Sequence, residues 1–222
     1  MTHARILVVN PNSNTTVTDA IRQAVTPLAR AGVEMTFATL ADGPLGIETQ
    51  AHADSIPVPL CADVAGAGEY DAYVIACFSD PGLHALREAT GKPVFGIAEC
   101  GILTAMARAG QYGVIAIRAR GIPRHLRGMR QMLVTGRLAG ERAIEMSVAE
   151  SASGDRTFAR MLEIGTELRD LDGADIIVLG CAGMARHRQP LEDALEIPVI
   201  DPTQAAVAMA IGTVLTAGPS DP

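Results

Sequence analysis

The sequence predicts an α/β protein of two pseudo-symmetric lobes, each a four-stranded parallel sheet flanked by helices, with a cleft between them. Three observations carry this. Short apolar, β-rich runs alternate with longer helix-period stretches, the pattern of βαβ units. Several runs, "YVIA" and "IIVL" among them, are apolar throughout, as parallel strands buried on both faces are. The runs also repeat in order: "ILVVN", "EMTFAT", "AYVIACFSDPG" and "KPVFGI" are answered by "GVIAI", "IEMSV", "DIIVLGCAGM" and "IPVID". Val8 and Cys77 are 69 positions apart, and Ile115 and Cys181 are 66 apart. A cysteine ends the third run of each half, so a four-strand unit has been duplicated.

Taken in order, the expected strands are Ile6–Asn10, Glu34–Thr39, Ala72–Ala76, Pro93–Ile97, Gly113–Ile117, Ile144–Val148, Asp175–Leu179 and Pro198–Ile200. Helical stretches fall between them: Thr16–Ala31, Ala53–Gly68, Pro81–Thr90, Glu99–Ala109, Pro123–Thr135, Asp155–Leu171, Gln189–Leu195 and Thr203–Thr216. Thr16 and Asp19 have capping-box spacing and set the expected start of the first helix. The last helix is expected to fold back onto the first lobe. The lobes are then residues 1–97 with 203–222, and residues 98–202.

Composition narrows the function. The chain has 222 residues, 48% hydrophobic and 19% charged, enough for one large domain or two small lobes. With 3% aromatics and no Trp, the core must be aliphatic. A formal net charge of −7 argues against nucleic acid as a partner. No apolar run reaches the roughly 18 residues of a membrane span, and the N-terminal "MTHARILVVN" is too soon polar for a signal peptide, so no membrane partner and a cytoplasmic location are expected. The four cysteines, Cys61, Cys77, Cys100 and Cys181, are then expected as free thiols. None forms a Cys-x-x-Cys pair or sits at ligand spacing from a His, so no metal is expected. No Gly-x-Gly-x-x-Gly or Walker sequence points to a nucleotide cofactor.

Ligands of open parallel sheets bind beyond the carboxyl ends of the strands. Three loops should meet there: the polar "NPNSN" after the first run, "ACFSDPG" carrying Cys77, and "LGCAGM" carrying Cys181. Each cysteine is expected where a strand gives way to a helix N-terminus. Unpaired N–H groups and the helix dipole favour thiolate there and lower a thiol from about 8.5 to about 7 or below. Gly180 and Gly183 allow close backbone approach, and nearby N–H groups suit an oxyanion. Two thiols facing one carbon suit stereoinversion, one removing a proton and the other delivering one to the opposite face. Taken alone, each is also a small buried hydrophobe. Cys61 and Cys100 have no matched partner and read as structural. "NPNSN" reads equally as a turn with a helix cap or as a ligand loop. His84 and His187 read as solvated helix histidines. The arginine-rich "RARGIPRHLRGMR" reads as a solvated or subunit-contact face; the sharper reading places Arg118 or Arg120 against an anionic substrate group.

"NPNSN", "VIACFSDPGL" and "IVLGCAGM", with "IPVIDPTQAAV" near the end, together resemble the hydantoin/allantoin racemase branch of the aspartate/glutamate racemase superfamily, over nearly the whole chain. The resemblance implies a cofactor-independent racemase using Cys77 and Cys181 on a small-molecule substrate. It implies that Asn10, Pro11, Asn12 and Ser13 line the substrate site. It also implies that Phe78, Ser79, Ala182 and Gly183 hold ring carbonyl oxygens. Superfamily members are often oligomers, so a homo-oligomer is expected. Typical hydantoin racemases carry two threonines where this chain has Ala116 and Ile117, followed by Arg118 and Arg120. Three alternatives stay open: an amino-acid racemase, a maleate-type cis–trans isomerase, and a non-enzymatic sensor that has kept the cleft.

Overall fold

The computed structural model describes residues 4–151 and 155–217. Residues 1–3, 152–154 and 218–222, which include both ends of the first lobe as divided above, lie outside the described residues. Strands β1 (Ala4–Asn10), β2 (Val33–Thr39), β3 (Ala72–Ile75) and β4 (Val94–Gly96) form one parallel sheet in the order β2-β1-β3-β4. Strands β5 (Tyr112–Ala116), β6 (Leu138–Ala143), β7 (Ile176–Leu179) and β8 (Val199–Ile200) form a second, in the order β6-β5-β7-β8. The topology of the first sheet is repeated in the second, as the duplicated pattern requires. The central strands read apolar at every position because both faces are covered: Ile6 and Val8 join one core while Leu7 and Val9 join another on the opposite face.

Helices α1 (Thr15–Val25), α2 (Gln50–Asp54), α3 (Pro57–Gly66), α4 (Leu83–Thr90) and α5 (Ile97–Arg108) belong to the first half of the chain; α6 (Ile122–Gln131), α7 (Val148–Ser151), α8 (Asp155–Asp170), α9 (Arg188–Leu195) and α10 (Pro202–Thr216) belong to the second. The larger core runs from the inner face of the first sheet, through α5 and α10, into the second sheet. α10 packs on β1, β3 and β4 and against α5. At Gly101 of α5 a Cβ would sit 2.8 Å from Pro202 Cβ, so this glycine permits the close approach. Among the described residues no helix is long and apolar enough to cross a membrane.

Several expected elements are corrected. The first edge strand of the second sheet is Leu138–Ala143, not Ile144–Val148. This strand is half-buried throughout and carries no apolar run. The apolar Ile144 and Met146 instead continue the chain beside β5, donating to the Ala116 and Ile117 carbonyls, and Glu145 between them is left-handed at φ 56°. α1 is capped by Asn14, which accepts from Thr16 N–H, rather than by Thr16, and it ends at Val25 because Pro27 cannot continue it. The stretch Ala53–Gly68 becomes two helices, with Pro57 opening the second. α4 starts at Leu83, two residues late, because Gly82 is left-handed at φ 80°.

Candidate active site

The duplicated sheets point their carboxyl ends at one cleft. The loop after each central strand supplies part of its wall: Asn12 after β1, Ala76 to Ser79 after β3, Ile117 and Arg118 after β5, Gly180 to Ala182 after β7. The loop after β2 adds Ile47 and Glu48, and α6 adds Arg124 and His125. The cleft holds about 540 Å³ of space, its open mouth included.

Cys77 and Cys181 both line it, in matching registers. Val9 pairs with Ile75 and Ile115 with Leu179, and each cysteine lies two residues beyond. The intervening residue closes the ladder in both halves: Ala76 N–H donates to Val9 O at 2.9 Å and Gly180 N–H to Ile115 O at 2.8 Å. Each sulfur accepts the backbone N–H two residues on, from Ser79 for Cys77 and from Gly183 for Cys181. Ser151 Oγ lies 3.7 Å from Cys181 Sγ and adds a second donor. The N–H groups of Phe78 and Ala182, between each cysteine and its donor, make no hydrogen bond to the described residues.

The expected depression of the thiols is reversed. Burial pushes Cys77 up to about 12, opposed by the Ser79 N–H and the Arg124 guanidinium and assisted by Cys181 and Asp80. Burial also pushes Cys181 up, opposed by Gly183 N–H and Ser151. The reason is local. Cys77 does not stand at a helix N-terminus; α4 begins only at Leu83, and Cys181 is followed by a tight 3-10 segment, Ala182–His187. Desolvation therefore outweighs the donors.

The "NPNSN" loop mostly holds itself. Asn10 is 1% exposed, and its Nδ2 donates to Asn12 Oδ1, Asn14 O and Thr18 Oγ1 at 3.0–3.1 Å. Thr18 in turn reaches Thr39 at 2.6 Å, tying the loop to β2. Asn12 reaches the cleft; its Oδ1 accepts from Asn10 and Asn14, which leaves Nδ2 without a partner among the described residues. Asn10, Pro11 and Ser13 are not part of the cleft wall, and neither is Gly183 beyond the N–H it gives Cys181.

Arg118 lines the cleft and Arg120 does not, yet both are paired with the same carboxylate. Glu48 Oε2 lies 3.3 Å from Arg118 Nε and 2.6 Å from Arg120, while its Oε1 accepts from Val148 N–H at 3.3 Å. Glu48 thus bridges from the first sheet's loops to the second's. It stands in a loop without a motif, and no sequence signal marked it. Arg124 was legible only as one of five arginines. Pro123 in the first turn of α6 sets it at the cleft, where its Nε donates to Ser79 Oγ at 2.8 Å without a carboxylate partner among the described residues. His125, behind Phe78, bonds Glu141 of β6, and both side chains are nearly fully buried. His187, expected in solvent, is 5% exposed and packs on Phe158, with burial holding its imidazole below the usual value. His84 is exposed as expected, and Cys61 and Cys100 lie on α3 and α5 away from the cleft wall. Among the described residues no three His, Cys, Asp or Glu side chains come close enough together to hold a metal ion.

This architecture has known counterparts. The family model described as Asp/Glu/Hydantoin racemase matches residues 6–210. The hydantoin racemase of Paenarthrobacter aurescens is 36% identical over 211 residues, covering 93% of this chain and 89% of its own. The structure of an allantoin racemase from Klebsiella pneumoniae superposes with a TM-score of 0.87 at 31% identity, over 96% of this chain and 88% of that one. That of an allantoin racemase from Pseudomonas fluorescens gives 0.91 at 27% identity, over 95% and 91%.

Proposed function

We propose that this chain, which belongs to the Asp/Glu/Hydantoin racemase family, inverts the C5 stereocentre of a 5-substituted hydantoin or related cyclic ureide by two-base proton transfer between Cys77 and Cys181. One observation carries the reading: two thiols in matching registers of two duplicated sheets line one cleft, each with the N–H of the residue two positions on. The thiolate of one cysteine takes the C5 proton and becomes a thiol. The opposite thiol gives its proton to the other face of C5 and becomes the thiolate. Between the two transfers the electron pair is delocalised onto the adjacent carbonyl oxygen. The Phe78 and Ala182 N–H groups, Asn12 Nδ2 and the Ser79 hydroxyl held by Arg124 are the donors available for ring oxygens. The acidity that the adjacent C4 carbonyl confers on C5 lets thiols suffice without a cofactor.

Membership in an isomerase family speaks against the binding-only alternative. Glu48 engages Arg118 and Arg120, whereas Arg124 stands at the cleft without a carboxylate partner among the described residues, so turnover of dicarboxylates and acidic amino acids beside a 5-alkylhydantoin decides between these alternatives. The division into residues 1–97 with 203–222 and 98–202, a homo-oligomer and a cytoplasmic setting are parts of the same proposal. Sedimentation of the purified protein tests the oligomer.

The mechanism is tested by proton exchange in heavy water with single enantiomers of a 5-alkylhydantoin, under reducing conditions. With Cys77→Ser, C5 exchange without inversion should survive for one enantiomer only; with Cys181→Ser, for the other. Equal loss or equal retention for both enantiomers in each variant would rule out opposed bases.

A further inference from the structure

A hydantoin ring carries two N–H groups beside its two carbonyl oxygens, so a cleft that holds it needs an acceptor as well as donors. Among the described residues, the side chains of the cleft wall that can accept are those of Asn12, Glu48, Ser79, His125 and the two cysteines. Most are engaged. Asn12 Oδ1 accepts from Asn10 and Asn14, Glu48 meets Val148 N–H and two arginines, and Ser79 Oγ accepts from Arg124 Nε. The thiols are needed for the proton transfer itself. His125 is left. We propose that His125 Nε2 accepts a hydrogen bond from one ring N–H of the substrate, and so selects cyclic ureides over rings that lack that N–H. The inference rests on the hydantoin reading of the cleft.

The geometry points the right edge of the imidazole at the cleft. His125 follows Arg124 on α6 and is 8% exposed. A Cβ built on Gly121 would lie 3.5 Å from His125 Cε1 and 3.7 Å from its Nε2. Gly121 belongs to the cleft wall and not to the neighbouring space between α4, α5 and α6. The missing side chain therefore leaves the Nε2 edge uncovered on the cleft side. Nε2 makes no hydrogen bond to the described residues, yet it is not sealed from solvent as His187 Nε2 is.

The other edge fixes what Nε2 can do. Nδ1 lies 2.5 Å from Glu141 Oε1, and Glu141 is held on β6. An ionised carboxylate only accepts, so the hydrogen of the imidazole sits on Nδ1. In the neutral ring this leaves Nε2 with its lone pair, an acceptor aimed at the cleft. Phe78 meets the imidazole edge to face, with ring centres 5.2 Å apart and planes at 82°, which limits rotation of the ring. Since Phe78 follows Cys77 directly, the acceptor is held in register with one of the two thiols.

Methylation of one ring nitrogen at a time provides the test. Racemisation of enantiopure 5-isobutylhydantoin and of its N1-methyl and N3-methyl derivatives is followed by circular dichroism at neutral pH, for wild type, His125→Phe and His125→Gln. In the wild type, methylation of one of the two nitrogens should lower kcat/KM by on the order of 100-fold, because a site built to bond an N–H rejects the ring that lacks it. His125→Phe should lower kcat/KM for the unmethylated ring by on the order of 10-fold or more and leave that methylated ring within about threefold of wild type, so that the preference collapses. The loss should fall on KM more than on kcat. His125→Gln, whose amide oxygen can accept near the same place, should recover part of the preference. Equal losses on all three substrates, no loss on any, or no preference in the wild type would overturn the contact while leaving the function intact. If His125→Phe does not fold, ¹⁵N NMR of the wild type decides, with the imidazole assigned through its contact with Phe78. Nε2 should show a lone-pair signal that shifts on adding 5-isobutylhydantoin, and a hydrogen on Nε2 or no shift would overturn the proposal. Failure of the wild type to racemise the unmethylated hydantoin would overturn the functional reading and the contact with it.

Discussion

The raised thiols make a pH profile the most decisive perturbation of the proposed chemistry. With Cys77 at about 12, on the order of one molecule in 10⁴ carries a thiolate there at pH 8, against about one in ten for a thiol titrating at 9. Cys181 is also pushed above the ordinary value, so neither member of the pair ionises readily below pH 9. The sign is direct. Burial favours the neutral form, the active form needs one thiolate, and kcat/KM must therefore rise as pH rises. The expected profile climbs about tenfold per pH unit from 7 to 9 without levelling. The assay is polarimetry on an enantiopure 5-alkylhydantoin with a reductant present, the enzyme-free rate subtracted at each pH. The Arg124 guanidinium is one of the groups that hold Cys77 down, so Arg124→Met should make the thiolate scarcer and lower the whole curve without flattening it. A plateau reached below pH 8 would refute the reasoning. It would restore the expectation that backbone donors at these loops outweigh desolvation.

Three further outcomes rest on named contacts. Glu48→Gln weakens the bridge to Arg118, Arg120 and Val148, and should raise KM about tenfold with kcat within threefold. Its cost in stability should stay below about 1 kcal/mol by chemical denaturation because both arginines are partly exposed. Gly180→Ala would bring a Cβ to 2.5 Å from Ile115 O, a backbone atom that cannot swing away, and should cost about 1–3 kcal/mol and reduce kcat. Asn14→Ala removes the α1 cap and should lower stability by about 1 kcal/mol with kcat unchanged, whereas Asn12→Ala should act on KM.

The features legible in the sequence and those hidden from it divide along a physical line. The succession of strands, the duplication and the matched cysteines were legible because strands covered on both faces leave continuous apolar runs whose order survives low identity. β6 was misplaced because its own residues form no such run; "LAGERA" carries a buried Glu141 facing His125, and no local pattern records a pair drawn from a strand and a helix. Glu48 and Arg124 escaped for the same reason, since their roles lie in contacts 70 and 45 positions away in sequence. The polar excess of "NPNSN" was visible, but its use was not. Most of it builds a rigid loop around Asn10, and one amide, that of Asn12, is left facing the cleft.

The duplicated frame and the unduplicated side chains then do separate jobs. The frame gives each thiol the same strand end and the same N–H donor, which is what the proposed opposed proton transfer needs. Around that frame the surroundings differ: Arg124 stands by Cys77, while Ser151 donates to Cys181 and Glu48 and Asp201 lie near it. Such asymmetry cannot favour one enantiomer at equilibrium. Because enantiomers have equal free energies in water, kcat/KM must be the same in both directions whatever the two environments are. Under the proposed mechanism the difference between the thiols is therefore confined to how kcat and KM divide for each enantiomer, and to which thiol holds the proton between turnovers. A site built by duplication need not stay symmetric to racemise, since the reaction itself enforces the balance that the side chains have lost.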